Sequence, residues 1–207
     1  VIRAADATAC TAEQLNTIND ATSVVVNLTN VTALAASSLA DLGTLATAIG
    51  NIEFINDSGL TTIAVSDTTI DATTLATRID SYDSINGDGT TDMTLPSGAT
   101  INVDADEVDH MLADESAGRL TIGDQAITVT DAITVDQANL LTATTSGVVT
   151  ATIATTETVT ELATLNADGG NNALTIVIRA ADASNCTAAQ LNTCLLYTSP
   201  SPRDRIA

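Results

Sequence analysis

The first seventeen residues, VIRAADATACTAEQLNT from Val1 to Thr17, return as VIRAADASNCTAAQLNT from Val177 to Thr193. The two copies match at 14 positions across an offset of 176 residues. A motif returning this faithfully marks a repeat array, and repeats must be recognised before any fold is assigned. A unit too small to bury its own apolar face is stable only when stacked on its neighbours.

A shorter beat runs inside the long one. Thr11, Thr134, Thr158 and Thr187 are each followed three residues later by Gln14, Gln137, Glu161 and Gln190, before apolar residues at helical spacing. This is the capping box: the hydroxyl accepts from the third helical amide, and the longer side chain reaches back to the cap amide. Ser38 and Asp71 stand in the same position before further helical patterns, and Asp104 with Glu107 reads as a carboxylate version. The seven caps are spaced 24 to 33 residues apart, in the range of stacked repeats. Each cap contributes about 1 kcal/mol, which matters because isolated helices this short are marginal.

The helical spacing predicts inward faces made of Leu15 and Ile18, then Leu39, Leu42, Leu45 and Ile49, then Leu75, Ile79 and Tyr82. Val108, Met111 and Leu112 follow, then Ala138 and Leu141, and last Leu162 and Leu165. Gly50, Gly118 and Gly147 are the expected stops. Strands are expected at Val24–Leu28, Ile52–Ile55, Thr62–Val65, Met93–Leu95, Ala99–Val103, Leu120–Ile122, Ala126–Val129, Val148–Ile153 and Leu174–Ile178. One strand or a short pair thus precedes each helix. The expected fold class is α/β, a repeat solenoid with a strand layer, parallel by this reading, on one side and short capped helices on the other. Tandem β-sandwich domains are the rival; they suit the Thr/Val-rich strands and leave the capped helices unexplained. A compact doubly wound α/β domain is a third arrangement, with helices normally longer than these.

Charge narrows the function classes. The formal net charge is −20 and there is no Lys, so phosphate backbones and anionic lipid are repelled. Neither nucleic-acid binding nor membrane insertion is expected. Hydrophobic residues make up 44%, too many for a disordered acidic tail. Aromatics are almost lacking, which leaves few rings for sugars or bases to stack on. Cys10 and Cys186 hold the same place in the two long copies, so they form no disulfide framework.

Catalytic chemistry has little to build on. His110, the single histidine, sits beside Asp106, Asp109 and Asp114 on one expected helix and reads as a solvated surface residue rather than a metal ligand. No Ser-His-Asp or Cys-His set can be assembled, and no phosphate-binding Gly-rich loop is present, so the chain is not expected to be an enzyme. The most site-like stretch is the expected turn from Asp83 to Asp92. Asn86-Gly-Asp88-Gly89 resembles half a calcium loop, with side-chain oxygens two apart and a glycine at the bend. Asp83, Asn86, Asp88 and Asp92 are therefore the candidate calcium ligands. Ser84 and Leu95 depart from the EF-hand pattern, and the plainer reading is a polar turn. Asp104, Asp106 and Glu107 read as charge at a helix N-terminus. Asn27, Asn30 and Asn185 open glycosylation triplets that so Thr-rich a chain generates by composition.

The segments ITVTDAITVDQANLLTATTSGVVTATI, from Ile127, and TVTELATLNADGGNNALTIVIRAADASNCTAAQLNT, from Thr158, carry a resemblance. They resemble the repeat regions of giant acidic, Thr-rich secreted or cell-surface proteins of aquatic bacteria, of the adhesin or surface-layer kind. That resemblance implies an extracellular location, a structural or adhesive role, and association with calcium and type I secretion. It also implies neighbouring repeats, glycans or surface proteins as partners. It assigns no residue a role, and no Gly-Gly-x-Gly-x-Asp nonapeptide occurs here. The alternatives are a calcium-dependent binding module for glycans or neighbouring chains, and a non-catalytic appendage of an extracellular enzyme. The closing run Cys194–Ala207 breaks the pattern and resembles the translation of a transposase adapter used in sequencing libraries. The expected organisation is a repeat array over residues 1–193, a window of a longer gene, and a non-native tail over 194–207.

Overall fold

The computed structural model of the protein describes residues 2–3, 6–55, 60–86, 91–166, 172–182 and 186–190. The expected tail lies outside the described residues. The chain divides into two compact units, Val1–Ala99 with Ala113–Ile122, and Thr100–Leu112 with Gly123–Ala207.

The first unit begins with α1 (Ala12–Asp20), β1 (Val26–Asn27), β2 (Ala33–Ser37) and α2 (Leu39–Gly50). It continues through β3 (Phe54–Ile55), β4 (Thr62–Val65), β5 (Thr69–Asp71), α3 (Ala72–Asn86) and β6 (Asp92–Thr94). After β7 (Thr100–Val103) and α4 (Ala105–Ser116), which reaches into this unit at its end, comes β8 (Leu120–Thr121). Strands β2, β4, β6 and β8 lie side by side in chain order, all parallel, with Leu34, Ile63, Met93 and Leu120 in one row across them. Every member of that row is at most 3% exposed. Successive side chains in a strand point to opposite faces, so one row of large apolar residues fills the core while the alternate row carries Thr. Threonine hydroxyls also reach across to the neighbouring chain: Thr61, just before β4, and Thr94 of β6 donate to the Thr32 and Ile63 carbonyls. Helix α1 packs on α2 and α2 on α3. The Tyr82 hydroxyl reaches the Leu42 carbonyl at 3.0 Å, and Arg78 lies across Gly43 with its Nε on the Leu39 carbonyl at 3.0 Å. A Cβ at position 43 would meet that guanidinium at 2.5 Å, so a larger residue there would push the arginine's end aside.

The second unit holds β7, most of α4, β9 (Ala126–Ile133), α5 (Val135–Thr144), β10 (Val149–Ile153), α6 (Val159–Leu162) and β11 (Ala173–Thr175). Here β7, β9, β10 and β11 are again parallel neighbours in chain order. Ile101, Ile127 and Val149 form a fully buried row. Gly147 lies against the backbone of Gln125, where a Cβ would meet the carbonyl oxygen at 2.3 Å. It therefore serves close packing rather than stopping α5, which has already ended at Thr144. The ladders within both units are parallel, whereas a β-sandwich pairs its strands antiparallel, so the sandwich alternative falls. Among the described residues, neither unit shows the reversal of strand order that defines a doubly wound sheet.

All seven expected caps are in place. Thr11, Thr134, Thr158 and Thr187 form reciprocal boxes with Gln14, Gln137, Glu161 and Gln190. Ser38, Asp71 and Asp104 accept the amides of Asp41, Thr74 and Glu107 at 3.1, 2.8 and 3.0 Å.

Several expectations are corrected. Ile18 is 41% exposed, because the face of α1 that bears it has no covering element. Val24 and Val25 are also exposed and only Val26–Asn27 pairs, so this strand is shorter than its β-branched run suggests. Strands β2 and β5 arise in Ala/Ser- and Thr-rich stretches without a strand signature. In β2, Ser37 is buried because its hydroxyl serves the Ala12 amide. Helix α2 ends at Gly50, as expected, but the left-handed position that closes it falls on Ile52, which takes φ 62°. Its amide returns to the Ile49 carbonyl and that of Glu53 to the Ala48 carbonyl, a Schellman ending with isoleucine where glycine is usual. Gly118 ends α4 in the same motif at φ 73°, as expected.

Candidate functional site

The stretch Asp83–Asp92 is not one continuous turn. Asp83 and Asn86 belong to the last turns of α3, and Asp92 opens β6. The helix runs on because Ile79, Tyr82 and Asn86 continue one buried face at helical spacing. Asp88 lies outside the described residues.

Each described member of the set has a partner within the first unit. Asn86 Nδ2 donates to the Leu60 carbonyl at 2.6 Å and to the Thr91 hydroxyl, tying the helix end to the next strand. The Asp92 carboxylate accepts from the Thr121 hydroxyl of β8 at 3.1 Å. Asp83 meets Arg119, whose guanidinium collects three carboxylates: Asp83 at 3.0 Å, Asp80 at 3.7 Å, and Asp114. Asp114 is 1% exposed and Asp83 11%, while Asp80 stands mostly in water. The hydrogen bond to Asp83 is the main reason the guanidinium holds its proton more tightly than usual, burial opposing and the other carboxylates assisting. Asp83 Oδ1 and Arg119 Nε are buried with no hydrogen-bond partner among the described residues. Chemically this is a charge cluster with its cation built in. Among the described residues, no group of three or more His, Cys, Asp or Glu is placed to hold a metal ion.

The remaining candidates are dispersed. His110 Nδ1 sits 3.5 Å from Glu107 on the same helix, and its side chain is 40% exposed. Asn27 Oδ1 closes a local turn on Thr29, and Asn30 Nδ2 donates to the Ile2 carbonyl; Asn185 lies outside the described residues. Cys10 and Cys186 are free thiols, each donating to an aspartate carbonyl four residues back. Burial, assisted by Asp6, pushes the Cys10 thiol up.

A second kind of cap escaped the sequence reading. The first amide of a helix is satisfied by the following strand–helix unit. Ala12 donates to Ser37 Oγ at 2.9 Å, Leu39 to Asp67 Oδ2 at 2.7 Å, and Val159 to Asp182 Oδ2 at 3.3 Å. These partners are 25, 28 and 23 residues away, about one unit. The available signal was the rarity of arginine. In a chain without Lys, Arg78, Arg119 and Arg179 each bind a preceding unit, through Leu39, Asp83 and Thr156 respectively.

No protein family, curated protein or solved structure matches this chain. Among the described residues, no helix is long and apolar enough to cross a membrane.

Proposed function

We propose that this chain is a structural spacer: a solenoid of stacked strand–helix units that sets length and stiffness in a large, acidic, secreted or cell-surface protein of the adhesin or surface-layer kind. The observation that carries the reading is the cap delivered from one unit to the helix before it. Such a contact, made at the starts of α1, α2 and α6, ties a unit to its neighbour, which is the energetic pattern of a quasi-one-dimensional array. Strands laid down in chain order support it, as does the scatter of polar side chains into structural pairs. The resemblance to giant surface proteins supplies the extracellular location. The acidic surface keeps a long array soluble and stops it binding nucleic acid or anionic lipid.

The test is length. Proteins carrying one, two and four extra copies of residues 104–133 are compared by small-angle X-ray scattering. Stacking predicts an increase of about 4.8 Å in maximum dimension per added unit, roughly 19 Å for four, the spacing between neighbouring strands. Growth that instead follows the cube root of chain length overturns the proposal. A chelator should leave the melting temperature unchanged, since the reading needs no bound cation; a loss of more than a few degrees favours the calcium-dependent module.

A further inference from the structure

The two long copies are in different surroundings, and the difference exposes an unfilled contact. In the second copy, Arg179 Nε binds Asp182 Oδ2 at 2.8 Å, and the pair faces the preceding unit. Arg179 Nη1 donates to the Thr156 carbonyl at 3.0 Å, and Asp182 Oδ2 accepts the first amide of α6, from Val159. In the first copy the same pair has the same internal form. Arg3 Nε binds Asp6 Oδ2 at 3.1 Å, Asp6 N donates to the Arg3 carbonyl at 2.9 Å, and Cys10 Sγ donates to the Asp6 carbonyl at 3.3 Å. The counterparts are 3.0 Å for Asp182 N to Arg179 and 3.1 Å for Cys186 Sγ to Asp182. Only the exposure changes, from 31% and 18% at Arg179 and Asp182 to 82% and 41% at Arg3 and Asp6.

Arg3 and Asp6 lie on an open groove of about 810 Å³, lined further by Ile2, Cys10, Glu13 and Ile18. One side of α1 packs on α2. The other side bears the groove, and there Ile18 is left 41% exposed. Chemistry and shape match a helix start: a carboxylate for an unpaired amide, a guanidinium for a carbonyl, and an apolar floor.

We propose that the Arg3–Asp6 groove is a docking surface for a strand–helix unit of the Ala154–Leu165 kind, with Asp6 capping that unit's first helical amide and Arg3 binding the carbonyl three residues earlier. The proposal rests on the stacked-unit reading. The occupant follows from the second copy, where the same residues already hold such a segment. The groove is therefore a junction that lets whole 176-residue periods join end to end.

The test places residues 1–176 directly before Val1 of the full chain, which keeps the period. Amide hydrogen exchange is read over Ile2–Ile18 of the downstream copy and at Val159 of the upstream one. Docking slows exchange over Ile2–Ile18 at least tenfold relative to the single chain. Asp6→Ala in the downstream copy then speeds the upstream Val159 amide, while the same substitution in the single chain leaves Val159 as it was. Asp6→Asn, which keeps an acceptor, restores most of the protection. Exchange over downstream Ile2–Ile18 equal to that of the single chain overturns the proposal. The ladder amides of Met93 and Ile127 separate the two readings. If they are protected, the stacked units stand and only the junction falls; if they exchange freely, both fall.

Discussion

Asp67 Oδ2 lies 2.7 Å from the backbone amide of Leu39, the first residue of α2, which Ser38 caps from its own side. One helix start is thus held from two directions, by its own unit and by the next. Asp67→Ala should destabilise the protein by about 1 kcal/mol, the usual cost of an N-terminal cap. Ser38→Ala should cost a similar amount, and the double variant should lose more than either without exceeding the sum. Urea unfolding monitored by circular dichroism measures all three. An unchanged midpoint for Asp67→Ala would show that water serves the Leu39 amide equally well.

Acid should loosen the caps. The Thr158 amide, helped by its hydroxyl, holds Glu161 below the ordinary glutamate range. The Thr74 hydroxyl and amide do the same for Asp71, and Arg179 does so for Asp182. A carboxylate whose folded pKa is depressed contributes stability that is fully present above its unfolded value, about 4.3 for Glu and 3.9 for Asp. That contribution is lost as pH falls through the lower folded value. The melting temperature should therefore drop below about pH 4, although acid also relieves the repulsion of so negative a chain. Glu161→Gln keeps the reciprocal cap in a form that does not titrate, as Gln14 and Gln137 do elsewhere. Its α6 amides should keep their protection at pH 3, whereas those of the parent chain should not.

Arg119 is the cation that three carboxylates of the first unit share. Arg119→Met leaves Asp83 and Asp114 with no cation between them and should cost about 3 kcal/mol at neutral pH. Arg119→Lys, which keeps a cation between them, should recover part of that loss. Melting temperatures of the two variants decide this. An equal loss in both would assign the effect to the shape and hydrogen bonding of the guanidinium rather than to its charge.

Ile52 and Gly118 close their helices in the same motif, and they offer a reciprocal pair of substitutions. A β-branched residue in the left-handed region carries a strain of about 1–2 kcal/mol. Ile52 is 75% exposed and gives up little burial, so Ile52→Gly should stabilise the protein by about 1 kcal/mol. Gly118→Ala should destabilise it by about 1 kcal/mol. Thermal unfolding of the two variants should shift in opposite directions.

The caps, the short helices and the α/β class were legible in the residues because each rests on local spacing. Thr158 and Glu161 meet three residues apart whatever the remainder of the chain does, and Leu75, Ile79 and Tyr82 share a face by the pitch of a helix alone. Strand registers, the ends of α2 and α3, and the fate of the acidic turn depended on partners far along the chain. Nothing within Asp83–Asp92 announces that Arg119 and Thr121 will claim its carboxylates, and nothing near Leu39 points to Asp67. By itself the sequence determined where the helices are capped, since capping is a property of neighbours in the chain. Only the tertiary structure decided which side chains join one unit to the next. Those bonds form between residues 23 to 28 positions apart, and only the packing of the folded chain brings them within hydrogen-bonding distance.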